Sequence, residues 1–141
     1  MTDQKEIARK IVELRIALRR VCMCEDGDKA LLSLKTKALF IISQSDRVSP
    51  SQLMNSLKIA KPNLTALAKE LEKEELIMRS HTLIDRRTIL YSITGKGRAY
   101  LEERIDRISA LIGTAIETPK DADRISLSID EILRFLSFVS I

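Results

Sequence analysis

Helices interrupted once by a β-hairpin, in the order α-α-α-α-β-β-α-α, make up the mainly α fold that this 141-residue sequence predicts. Three observations carry that prediction. Apolar residues recur at three- and four-residue steps along most of the chain, the period of a helix with one buried face. The period changes over 76–94, where two short runs rich in β-branched residues enclose a polar tip and read as paired strands. Helix-start chemistry stands at two of the joints, Ser49-Pro50 and Thr94.

Each element follows from its residues. Residues 4–24 carry Ile7, Ile11, Leu14, Leu18 and Val21 as a narrow, heptad-like stripe, which the acidic stretch 25–28 and its Gly27 break. A second helix over 29–45 turns Leu31, Leu34, Ala38, Ile41 and Ile42 inward. Ser49 as N-cap, Pro50 in the first turn and Gln52 completing a capping box start a short third helix that ends near Leu57. A fourth begins a few residues later, with Pro62 near its start and Leu64, Leu67, Ala68 and Leu71 on its buried face. The strands "LIMRSHT" and "TILYSIT" then enclose a tip at 83–87. Thr94 caps a long helix over about 95–116, with Gly95 and Gly97 easing the corner and Leu101, Ile105, Ile108, Ile112 and Ala115 as its stripe. After "ETPKDAD", a last helix over about 121–139 carries Ile125, Ile129, Ile132, Leu136 and Val139.

Composition narrows the function. Apolar residues make up 45% and charged residues 31%, a composition of water-soluble helical domains. No window approaches the roughly 18 uninterrupted apolar residues of a membrane span. The polar start has no secretory h-region, so the expected location is the cytoplasm. Two cysteines, Cys22 and Cys24, are too few for a disulfide scaffold. One histidine, His81, and no glycine-rich phosphate loop leave no constellation for catalysis or a metal, so neither an enzyme nor a cofactor is expected. The net charge of +4 is concentrated: residues 58–98 hold nine Lys/Arg against five Asp/Glu, and the remainder holds fifteen of each. A local basic excess is the footprint of a nucleic-acid partner.

Two helices across a tight turn followed by a β-hairpin form the winged helix-turn-helix pattern. The second helix of such a pair fits the major groove and reads base edges with its N-terminal residues. Here that helix covers 60–75, and the candidates are Lys61, Pro62, Asn63, Thr65 and Ala66, small or polar and off the core stripe. The hairpin tip carries Asp85, Arg86 and Arg87, and arginines on a protruding wing suit the negative potential of a narrow minor groove. Asp85, two residues before Arg87, is placed to hold that guanidinium in a bidentate pair.

From about Leu34 to Leu101 the chain resembles a MarR-type (multiple antibiotic resistance regulator) transcriptional regulator. The resemblance rests on "VSPSQLMNSLKIAKPNLTALAKELEKEELIMRSH", then "DRR", then "YSITGKGRAYL". It implies that Asp85 orients Arg87 into the minor groove, with Arg86 alongside. It also implies a homodimer held by the first and last helices, so that 30–98 is the DNA-binding lobe and 1–28 with 99–141 the dimerisation region. Two residues depart from the family pattern: Glu75 stands where glycine often precedes the strand, and Ala60 replaces a small hydroxyl residue at the start of the recognition helix.

Many members of that family respond to a small-molecule effector. Phe40, Tyr91 and Tyr100 are the aromatics available to line such a pocket, although each reads first as core. Cys22 and Cys24 invite an oxidant-sensing role, with Arg19 and Arg20 near enough to lower a thiol pKa. Residues two apart on a helix point away from each other, which disfavours a disulfide between them. The resulting expectation is a homodimeric repressor of double-stranded DNA, released by a small-molecule or oxidant effector. The competing expectation is a winged helix that binds protein without specific DNA binding.

Overall fold

The computed structural model describes residues 1–22 and 32–139. Its elements run α1 (Gln4–Cys22), α2 (Leu34–Ser43), α3 (Pro50–Leu57), α4 (Lys61–Lys73), β1 (Ile77–His81), β2 (Ile89–Ile93), α5 (Gly95–Gly113) and α6 (Pro119–Ser137). The expected order therefore stands among the described residues: six helices and one two-stranded antiparallel sheet. Two units separate at the middle of α5, Met1–Asp106 and Arg107–Ile141, and each is taken by itself.

In the first unit the core gathers α2, α3, α4, the sheet and the start of α5. Leu39, Ile42, Leu53 and Leu71 are fully buried, and Ala38, Leu64, Leu67, Ala68, Leu76, Ile77, Tyr91 and Leu101 join them in one cluster. Each such aliphatic side chain withdrawn from water stabilises by about 1.5–3 kcal/mol. Leu101 thus belongs to this core rather than to an open dimer stripe. The first turns of α5 pack on the lobe, so the stripe can turn outward only beyond it.

Capping chemistry sets the joints. The Ser33 hydroxyl accepts from the Thr36 N–H at 3.2 Å and starts α2 at Leu34, later than hydrophobic periodicity alone suggests. Both arms of the capping box on α3 form: Gln52 N–H donates to Ser49 Oγ at 3.2 Å, and Ser49 N–H donates to Gln52 Oε1 at 2.8 Å. Lys58, at φ 54°, closes α3 in the left-handed region, and only Lys58 to Ala60 separate α3 from α4.

The sheet pairs Ile77 with Ile93 and His81 with Ile89 at its two ends. An isolated bridge forms outside the named strands, where Val48 and Tyr91 exchange backbone hydrogen bonds of 2.9 and 2.8 Å. That bridge fastens the segment before α3 to β2.

Glu75 sits at φ 61° just past α4. Its N–H donates to Glu72 O at 3.0 Å and the Leu76 N–H donates to Leu71 O at 2.9 Å, the paired bonds of a Schellman ending. Glycine is usual at this position, so Glu75 is strained there. Thr94 fastens the same corner from the other side: its hydroxyl donates to Glu75 O at 2.7 Å and accepts from the Gly97 N–H at 2.9 Å. Gly97 is required by packing rather than by a turn, because a Cβ there would lie 2.1 Å from Leu76 O. Gly95 has open space around it.

Several large apolar side chains of the outer helices stay exposed. On α1, Val12, Ile16 and Leu18 are 61%, 51% and 52% exposed. In the second unit, α6 is capped by Thr118, whose hydroxyl accepts from the Asp121 N–H at 3.3 Å, and it buries no residue. No helix among the described residues is long and apolar enough to cross a membrane.

Candidate nucleic-acid interface

α4 buries Leu64, Leu67, Ala68 and Leu71 and leaves its opposite arc to solvent. Lys61, Pro62, Asn63, Thr65 and Ala66 are all exposed, as the sequence pattern requires. A shallow depression on this arc is lined by Lys61, Pro62, Thr65, Ala66 and Lys69. Lys69 joins the residues expected from sequence, and its spacing is the signal: Lys61, Thr65 and Lys69 repeat every fourth residue and therefore share a face. Asn63 lies on the other flank, a helical step of about 100° from buried Leu64.

Local bonding decides what these groups can offer. Thr65 Oγ1 donates to the Lys61 carbonyl at 3.0 Å, so its proton is spent inside the helix. What it presents outward is an acceptor and a methyl. Ala60 makes no side-chain cap, and Asn63 does not compensate for it. Pro62 has no N–H, so the amides of Lys61 and Asn63 face an acceptor from outside the helix. The cluster Glu70, Glu72, Glu74 and Glu75 lies at the far end, and all four are engaged, Glu75 with Lys96 at 4.0 Å. Glu70 and Glu74 pair with Lys35, and Glu72 pairs with Arg79.

The wing tip is two small loops sharing Asp85. In the first, Thr82 Oγ1 donates to Asp85 O at 2.7 Å and accepts from the Asp85 N–H at 3.0 Å. In the second, Asp85 Oδ1 accepts from the Arg87 N–H at 2.9 Å, and the Thr88 N–H donates to Asp85 O at 3.1 Å. Arg86 and Arg87 occupy the centre of this turn. The sequence expectation put the Asp85 carboxylate on the Arg87 guanidinium; the structure puts it on the Arg87 backbone. The short Asp side chain reaches the amide two residues on, whereas the guanidinium would have to curl back. Asp85 therefore orients the arginines by fixing the backbone beneath them. Among the described residues neither guanidinium is in an ion pair.

β1 ties this wing to α4. Arg79 Nε donates to Glu72 Oε1 at 2.8 Å, and that bond holds the guanidinium pKa above its ordinary value. Arg79 stands opposite Tyr91 in the sheet. Burial pushes the Tyr91 hydroxyl pKa up, and the Arg79 charge opposes it.

The three aromatics named for an effector pocket differ in exposure. Tyr91 is in the core, Phe40 is 49% exposed and outside it, and Tyr100 is half-buried at its edge. Phe40 is therefore not ordinary core, because its position on α2 points away from the apolar face. Tyr100 has a different environment from the one its residue type suggested. Lys35 and Arg104 stand over its ring at 5.3 and 5.1 Å, and Arg104 Nη2 donates to its hydroxyl at 3.1 Å. Lys35 is buried and bonded to Glu74. Burial pulls its pKa down, but the Glu74 hydrogen bond and charge, with Tyr100 and Glu70, leave it above the lysine norm. Cys24 lies outside the described residues, as does the side chain of Cys22. His81 is exposed at the end of β1.

Residues 33–89, spanning α2 to the first residue of β2, match the model of the MarR family. Over that stretch the chain is similar to the MarR family. Solved structures extend the fold likeness to the outer helices. The transcriptional regulator BldR of Sulfolobus solfataricus is 22% identical, with 94% of this chain and 99% of that one covered and a TM-score of 0.67. FabT of Streptococcus pneumoniae, solved in complex with DNA, is 18% identical, with 96% and 98% covered and a TM-score of 0.60. BpsR of Bordetella bronchiseptica, described with the regulation of its DNA binding by 6-hydroxynicotinic acid, is 20% identical, with 98% and 95% covered and a TM-score of 0.61. No curated protein sequence matches the chain. The fold is the one that these solved structures share.

Proposed function

We propose that this chain is a homodimeric repressor that binds a pseudo-palindromic operator, with half-sites about one helical turn apart. α4 enters the major groove and the wing the minor groove. The observation that carries the reading is the pairing of two exposed cationic features on one lobe: the Lys61–Thr65–Lys69 face and the arginine turn that Asp85 holds. Lys61, Pro62, Asn63, Thr65 and Ala66 meet the groove, joined by Lys69, while Arg86 and Arg87 follow the minor groove.

The division of labour we propose is a DNA-binding lobe at 30–98 and a dimerisation region at 1–28 with 99–141. Exposed apolar faces on α1 and α6 support it, since patches of this kind favour a second surface. Release by a small-molecule effector belongs to the same reading; Tyr100, between two cations, is the aromatic best suited to an anionic one. An oxidant acting at Cys22 or Cys24 is the other route, and an oxidant response that survives Cys22→Ser with Cys24→Ser removes it.

The deciding experiment is a gel shift with the DNA flanking the chain's own gene. Arg87→Ala should weaken binding broadly and reduce the salt slope by about 1. Asn63→Ala should weaken it at particular base positions. An unchanged affinity and salt slope in Arg87→Ala would refute the wing assignment. No retardation at low salt would favour a protein-binding winged helix.

A further inference from the structure

Leu83 and Ile84 are the residues the DNA-binding reading leaves without a role. They are 104% and 99% exposed, adjacent in sequence, at the tip of the wing. Single exposed aliphatics need no explanation, but two consecutive ones on a protruding loop do. Their loop is built rather than slack. The Thr82 hydroxyl closes it by bonding both the N–H and the carbonyl of Asp85, and the Thr82 N–H reaches Thr88 O at 3.4 Å. The pair is thereby held out in solvent instead of folding back on the sheet. Asp85 joins this apolar loop directly to the turn carrying Arg86 and Arg87.

We propose that Leu83 and Ile84 form an apolar wedge that enters the minor groove beside the wing arginines, partly unstacking a base step and bending the duplex. This rests on the DNA-binding reading and adds to it a mode of recognition. The chemistry is matched: arginines satisfy the phosphates and the negative groove, while aliphatic side chains enter between bases, where polar ones would lose their hydrogen bonds. Pyrimidine–purine steps open at least cost, so the wedge gives sequence preference without a base hydrogen bond. Charge argues for DNA over a second copy of the chain, because apposed wings would bring four arginines together. Two aliphatic side chains bury far less apolar surface than a single acyl chain, whose membrane binding is itself marginal, which argues for DNA over an anionic membrane.

The test uses the full chain and duplexes of about 30 base pairs selected from a random pool for binding to it, labelled at both ends for energy transfer. The double variant Leu83→Ser with Ile84→Ser is exposed and should keep its circular dichroism. It should bind about tenfold more weakly, the scale of one lost base-pair contact, with a smaller bend and an unchanged salt slope. Leu83→Met with Ile84→Met should retain both affinity and bend. Arg86→Ala with Arg87→Ala should instead lower the salt slope. Equal affinity and bend in the double serine variant would overturn the wedge while leaving the DNA-binding reading intact. So would a defect confined to binding of phosphatidylserine vesicles. Failure of the unaltered chain to select any duplex at low salt would remove both.

Discussion

Arg79 on β1 and Glu72 on α4 are joined by a 2.8 Å hydrogen bond between Nε and Oε1, which ties the first strand of the hairpin to α4. Both groups are partly exposed, so the pair is a modest one. A double-mutant cycle with Glu72→Ala and Arg79→Ala, read by urea unfolding, should give a coupling of about 0.5–1 kcal/mol. Strictly additive single losses would mean that the bond fixes nothing.

Asp85 supports the arginine turn through the backbone, and that separates two substitutions. Asparagine keeps an oxygen for the Arg87 N–H; alanine does not. Asp85→Ala should weaken DNA binding about tenfold, whereas Asp85→Asn should stay within about threefold, since one turn hydrogen bond is worth about 1 kcal/mol. Both variants remove the same charge, so the comparison isolates geometry. Equal losses by fluorescence anisotropy would restore the guanidinium pair.

The start of α4 lacks a cap, because Ala60 has extended backbone (φ -75°, ψ 154°) but no oxygen to offer. Ala60→Ser should raise stability by about 0.5–1 kcal/mol. Calorimetry should register this as a higher Tm. An unchanged Tm would mean that solvent already serves those amides as well.

At the other end of α4, Glu75 holds a left-handed conformation. Glu75→Gly should relieve about 1 kcal/mol of that strain, less a small loss from the exposed Lys96 pair at 4.0 Å. Denaturant unfolding that moves to lower urea would show the pair outweighing the strain.

Lys35 makes stability depend on alkaline pH. Its folded pKa lies above lysine's ordinary 10.5, so its ion pairs stabilise fully below that value and are lost as pH rises through the folded one. At neutral pH Lys35→Met should cost about 1–2 kcal/mol, because Glu70 and Glu74 are half-exposed and tolerate losing a partner. The gap between the two proteins should close above pH 10.5 in thermal melts. A gap that stays constant to pH 12 would exclude ionisation of Lys35 as its source.

The sequence by itself determined the elements and their order. Helical period, the Ser49–Gln52 box and the Thr94 cap are short-range signals, complete within a few residues, and they stand in the structure. The same reasoning placed the exposed face of α4, because a helix that buries Leu64, Leu67, Ala68 and Leu71 must expose Pro62 and Ala66. Tertiary structure decided what depends on distant neighbours. Gly97 is needed because the Leu76 carbonyl, far along the chain, approaches it. Leu101 left the open stripe because the lobe covers it, and Tyr100 acquired two cations from α2 and α5. Even within the wing, composition named Asp85 and the arginines, but only the folded turn settled which atom of Arg87 the carboxylate holds. Periodicity records which side of an element is buried; it carries no record of what arrives there from the rest of the chain.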